Sequence, residues 1–108
     1  MAAPKIHIIG LGVSESAELS ALAKIALSRC DMVIGSPRQL DTMASLLSGI
    51  KITKVVLPKL DQLKATITNT DAATIAVIAS GDPLYFGIGR WFSNNFANQD
   101  LSFYPAVS

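Results

Sequence analysis

The chain has 108 residues, half of them hydrophobic and 16% charged, and its nine basic and eight acidic residues leave a formal net charge of +1. That size predicts one small domain with a modest core, and the apolar excess excludes a disordered chain. Without a basic cluster, nucleic-acid binding is not expected.

Met1-Ala2-Ala3-Pro4 leads directly into a strand-like run, Lys5 to Gly10, and does not have the form of a signal peptide. Gly10-Leu11-Gly12-Val13 reads as a tight turn. Ser14 or Ser16 can cap a helix that runs to about Ser28, with Glu15 and Glu18 near its positive end. Leu19, Leu22, Ala23, Ala26 and Leu27 give that helix an apolar stripe. Asp31 to Gly35 is a second strand. Ser36-Pro37 then places a cap before a proline in the first helical position, opening a helix to about Leu47 with Leu40, Met43, Ala44 and Leu47 on one face. Gly49 ends it.

Ile50 to Leu57 reads as a third strand, stopped by Pro58, and Leu60 to Thr68 as a helix with Leu60, Leu63 and Ile67 in register. Ala73 to Ala79 is apolar throughout, as expected of a strand buried on both faces. Phe86 to Phe96 is the last helix, Asn98-Gln99-Asp100 a turn, and Leu101 to Tyr104 a fifth strand. This alternation predicts an α/β domain: a mostly parallel five-stranded sheet with helices on both faces. No stretch approaches the roughly 18 apolar residues of a membrane span. The one cysteine, Cys30, excludes an intrachain disulfide and fits a reducing compartment, so a cytoplasmic location is expected.

The segment from Ala79 to Trp91, ASGDPLYFGIGRW, holds the densest cluster of ligand-friendly residues. It follows a buried strand, and the carboxyl ends of parallel strands are where α/β sheets bind ligands. Asp82 can serve as a helix cap with Pro83 in the first helical position, yet that leaves Gly81, Gly87 and Gly89 unexplained. Gly87 and Gly89 each cost a helix about 1 kcal/mol, so room for a ligand is the alternative. Gly10-Leu11-Gly12 either makes a tight turn only or lets a ligand approach. A dinucleotide fingerprint fails on Glu15, where the third glycine belongs, and on Gly35-Ser36, where the ribose-binding acid belongs. His7 has no second His or Cys at ligand spacing and reads as a strand histidine. Cys30 reads as a small packing residue, Trp91 as core or interface, and Arg38 as a surface arginine that could meet a substrate carboxylate.

Four segments together resemble the amino-terminal half of a tetrapyrrole methylase: Ile8-Ile9-Gly10-Leu11-Gly12-Val13, Cys30 to Leu40 (CDMVIGSPRQL), Ala79 to Arg90 (ASGDPLYFGIGR), and Pro105-Ala106-Val107-Ser108. The Gly-Ser-x-Arg-x-Leu and Gly-Asp-Pro-Leu-x-x-Gly-Ile-Gly elements are similar to the branch that methylates carbon 5 of a cobalamin-precursor tetrapyrrole. The chain departs from many members at Val13-Ser14-Glu15-Ser16, where they carry Gly-Pro-Gly-Asp. Members of the family also have a second α/β domain, so residues 1–108 are expected to be the amino-terminal domain of such an enzyme without its carboxyl-terminal one.

The resemblance implies S-adenosylmethionine as methyl donor, contacted by Val13, Gly81, Asp82, Tyr85 and Ser108, with Arg38 toward a precorrin substrate. It implies no general base, no metal and a homodimer. Two other readings stay open: a non-enzymatic fragment that self-associates through apolar surface, and a nucleotide or phosphate binder using glycine turns at helix N-termini. The latter has neither a P-loop lysine nor a ribose-binding acid.

Overall fold

The computed structural model describes residues 4–11, 21–80 and 87–104. The chain forms β1 (Lys5–Leu11), α1 (Ala21–Ser28), β2 (Met32–Gly35), α2 (Pro37–Thr42), α3 (Ala44–Leu47), β3 (Thr53–Val56), α4 (Leu60–Thr68), β4 (Thr74–Ser80), α5 (Gly87–Asn95), a 3₁₀ turn (Asn98–Asp100) and β5 (Leu101–Tyr104). All five strands lie in one parallel sheet of order β3-β2-β4-β1-β5, the α/β architecture expected from the sequence.

The two longest strands occupy the middle. β1 and β4 pair over seven residues, from Lys5 opposite Thr74 to Leu11 opposite Ser80. Ile6, Ile8, Ile9, Ile75, Ala76 and Val77 are fully buried, because helices cover both faces and a parallel interior strand has no wet side. Burying each isoleucine or valine contributes about 1.5–3 kcal/mol. On one face Ile9, Val33, Ala76 and Ile78 pack with Ala23 and Leu27 of α1, Met43, and Leu47 of α3. On the other, Ile6, Ile8, Ile34, Ile75 and Val77 pack with Leu63 and Ile67 of α4 and Phe92 of α5. Phe92 is held edge-on by Trp91 and stacked on Phe96, with ring centroids 4.9 and 5.6 Å away.

The amino ends of the strands are tied by Asp31. Its carboxylate Oδ2 accepts from the backbone N–H groups of Ala73 and Thr74 at 3.1 and 3.3 Å. Its own N–H donates to the Thr74 carbonyl, and its carbonyl accepts from Thr53. Asp31 was expected inside the second strand; it sits one residue before it and joins β2, β3 and β4.

Three further expectations are corrected. The third strand runs only Thr53–Val56, not Ile50 to Leu57, because β3 is an edge strand whose sole partner, β2, offers four residues. Ile50 and Ile52 instead pack against the α1-side core. The second helix is broken in two at Met43, whose backbone (φ −90°, ψ 3°) leaves the helical region while its side chain is fully buried beside Leu47. Leu22, expected in the apolar stripe of α1, is 70% exposed; Ala23, Ala26 and Leu27 form the buried stripe.

The cap at Ser36 is as expected, and more complete. Gln39 N–H donates to Ser36 Oγ at 3.1 Å, Ser36 N–H donates to Gln39 Oε1 at 2.8 Å, and Pro37 occupies the first turn. This reciprocal pair satisfies two orphan donors of a short helix. Gly35 lies tight beneath it, since a Cβ there would stand 3.3 Å from Gln39 Oε1 and 3.4 Å from Ile78 Cβ. Ser36→Ala removes one bond of the pair and is expected to cost about 1 kcal/mol, read as a lower urea midpoint with an unchanged m-value.

Candidate functional site

β1 and β4 lie side by side at the centre of the sheet. From β1 the chain moves through α1 toward β2; from β4 it moves through α5 toward β5, on the opposite face. Their last residues, Leu11 and Ser80, are paired neighbours, and the carboxyl ends of parallel strands are where open α/β sheets take ligands. β5 lies on the other side of β1, with Tyr104 opposite Ile9. At about 4.8 Å between strands, the three ends fall within roughly 10 Å.

The residues expected from the sequence follow these ends in the chain. Val13, Gly81, Asp82, Tyr85 and Ser108 all lie outside the described residues. Val13 comes two positions after the end of β1, Gly81, Asp82 and Tyr85 one, two and five after the end of β4, and Ser108 four after the end of β5. Thus the topology brings together the three strand ends from which the five depart. Arg38 is described: it is the second residue of α2, exposed, with its carbonyl accepting from Thr42 Oγ1 at 2.9 Å. It belongs to the helix that begins where β2 ends, on the same edge of the sheet.

The strand ends themselves are chemically quiet. Gly10-Leu11, Ala79-Ser80 and Phe103-Tyr104 carry no carboxylate, ammonium or guanidinium, and the Tyr104 hydroxyl is turned to His7 on the α1 face. Among the described residues this edge therefore holds no acid or base of ordinary strength at neutral pH. Among the described residues no group of three or more His, Cys, Asp or Glu stands where it could hold a metal ion.

The titratable groups of the α1 face do not supply one either. Cys30 is buried, its thiol donates to the Ala26 carbonyl at 3.2 Å, and burial with the neighbouring Asp31 charge pushes its pKa up to about 12. It packs as an apolar residue, as expected. His7 sits in β1, and a 2.9 Å hydrogen bond joins its Nδ1 to the Tyr104 hydroxyl on β5, the direction set by the imidazole tautomer. Burial lowers the His7 pKa below its usual 6.5. Sequence reading had found His7 but not its partner; the parallel register of β1 and β5 brings Tyr104 to the same face of the sheet.

The sequence profile of the Tetrapyrrole (Corrin/Porphyrin) Methylases matches residues 5–108. The chain belongs to the tetrapyrrole methylases. Among curated relatives it is 30% identical over 105 residues to a precorrin-6Y C(5,15)-methyltransferase [decarboxylating] of a Sinorhizobium species, covering 97% of this chain and 25% of that one. A protein of the same name from Mycobacterium tuberculosis is also 30% identical over 105 residues, covering 95% and 26%. The cobalamin biosynthesis protein CbiHC of Archaeoglobus fulgidus is 27% identical over 85 residues, covering 78% and 19%. This tetrapyrrole methylase chain thus spans about a quarter or less of the length of the relatives it matches.

The His7 shift carries a pH signature. Above about pH 6.5 both folded and unfolded chains hold a neutral imidazole. Below it the unfolded chain takes up a proton that the folded one resists, so stability should fall as pH drops through 6.5 toward the lower folded value. Urea titrations between pH 8 and 5 should show this loss, and His7→Gln should flatten it.

Proposed function

We propose that this chain is the donor-binding, amino-terminal unit of an S-adenosylmethionine-dependent methyltransferase acting on a cobalamin-precursor tetrapyrrole, at carbon 5 of a precorrin. The observation that carries this reading is the pairing of the carboxyl ends of β1 and β4, Leu11 opposite Ser80. The family's glycine-rich segments follow those ends in the chain, and the profile match runs through them. The names of the precorrin-6Y relatives support the reaction class.

S-adenosylmethionine supplies a methyl group on a sulfonium, whose carbon–sulfur bond breaks as the bond to the substrate carbon forms. The protein's share of such a transfer is alignment and exclusion of water. Orientation alone can contribute about 7–11 kcal/mol of barrier lowering, and the neutral strand ends suit that task better than proton transfer. Gly81 would let backbone approach the donor, Asp82 and Tyr85 would contact it beyond β4, and Val13 and Ser108 would do so beyond β1 and β5. Arg38, exposed at the start of α2, is the candidate for a substrate carboxylate. Substrate selection would be shared with chain outside residues 1–108.

Calorimetry with S-adenosylhomocysteine on the full-length gene product tests this reading. Saturable binding is expected, weakened about tenfold or more by Asp82→Ala. Absence of binding, or binding indifferent to Asp82→Ala, would contradict it. Thermal stabilisation by NAD or ATP but not by S-adenosylhomocysteine would favour a nucleotide site instead.

A further inference from the structure

The exposed Leu22 does not stand alone. Leu22 and Ile25 on α1 and Arg29 just after its end recur at helical spacing, forming an exposed second stripe beside the buried stripe of Ala23, Ala26 and Leu27. Ile25 is 50% exposed. This stripe is one wall of a groove of about 430 Å³. Its floor is Lys5 and His7 of β1 and Thr74 of β4, and Tyr104 of β5 closes the far side. The volume falls in the usual small-ligand range of roughly 300–1,000 Å³. Lys5 and Thr74 are the first residues of β1 and β4, so the groove lies toward the amino ends of these strands, away from Leu11 and Ser80 at their carboxyl ends.

The groove has a definite charge character. Among the described residues no carboxylate lines it, whereas two cations do. Lys5 Nζ meets Asp100 at 3.4 Å and donates to the Gln99 carbonyl at 3.3 Å. The Arg29 guanidinium has no ion pair among the described residues, and it follows the last turn of α1, at the same end as Lys5. The His7–Tyr104 pair satisfies one polar contact within the floor. Among the described residues the apolar wall ends at Arg29, a cation without an ion pair, beside Lys5, which Asp100 already holds; this surface is complementary to a molecule that is apolar along its length and anionic at one end. A cation would meet Lys5 and Arg29, and a fully polar anion would leave Leu22 and Ile25 in water.

We propose that the groove between α1 and β5 binds a small carboxylate carried on an apolar body, the carboxylate held by Arg29 with Lys5 and the body laid on Leu22 and Ile25. Arg29 suits the role because its planar fork pairs a carboxylate through two parallel N–H donors. The apolar body removes two large exposed side chains from water. The site is independent of the donor site.

Octanoate is the probe and octanamide its uncharged counterpart, titrated into the chain while ¹H–¹⁵N spectra are recorded. Saturable shifts are expected at Leu22–Arg29, Lys5–His7 and Tyr104, with those of Gly10, Leu11, Ala79 and Ser80 unmoved. Arg29→Gln and Ile25→Asp, both at exposed positions, should keep the folded spectrum and each weaken octanoate about tenfold; octanamide should bind about tenfold more weakly than octanoate. Three results would overturn the proposal: shifts that do not saturate or centre elsewhere, octanamide binding as well as octanoate, or affinity unchanged by Arg29→Gln. A ligand-free dimer in sedimentation that buries Leu22 and Ile25 would overturn it too, because the groove would then be an interface between copies.

Discussion

The seven-residue pairing of β1 with β4 is the constraint on which the rest of this molecule depends. It places two apolar strands at the centre of the sheet, where both faces must be covered, and the fully buried Ile6, Ile8, Ile9, Ile75 and Val77 make that cover energetically necessary. Once β1 and β4 are neighbours, right-handed connections fix the remainder. α1, α2 and α3 lie on one face while the chain steps outward to β2 and β3; α4 and α5 lie on the other while it steps back to β4 and out to β5.

That pairing bears on the chemistry of the site. The paired strand ends, Gly10-Leu11 and Ala79-Ser80, carry no carboxylate, ammonium or guanidinium. They are suited to orienting a ligand. The ionisable groups near the sheet are used elsewhere: Asp31 ties the amino ends of three strands, and His7 is paired with Tyr104 on the face of α1. The carboxyl end is thereby left for positioning, in keeping with a family whose reaction moves a methyl group from one molecule to another.

Much of the fold was legible in the sequence because the deciding signals are local. Thr74 to Ala79 is apolar without alternation, which marks an interior parallel strand, and Ser36-Pro37 with Gln39 three residues after the serine is a complete start signal for a helix. What sequence reading misjudged depended on partners. The length of β3 is set by the four residues of β2, and the exposure of Leu22 by which of two adjacent stripes on α1 faces the sheet. The groove was hidden for the same reason: Arg29 stands seven residues after Leu22, a spacing visible in the chain, but its meeting with Lys5, His7 and Tyr104 needs the order of the strands. The candidate donor contacts were legible as motifs, and the strand pairings show that three separate motifs depart from neighbouring ends.

The central claim is that the methyl donor binds at the paired carboxyl ends of β1 and β4. Backbone amide shift mapping with S-adenosylhomocysteine tests it directly. The account predicts the largest shifts at Gly10 and Leu11 of β1 and at Ala79 and Ser80 of β4, with little change at the amino ends of the same strands. Shifts centred on β2 and β3, on the groove beside α1, or on none of these would contradict it.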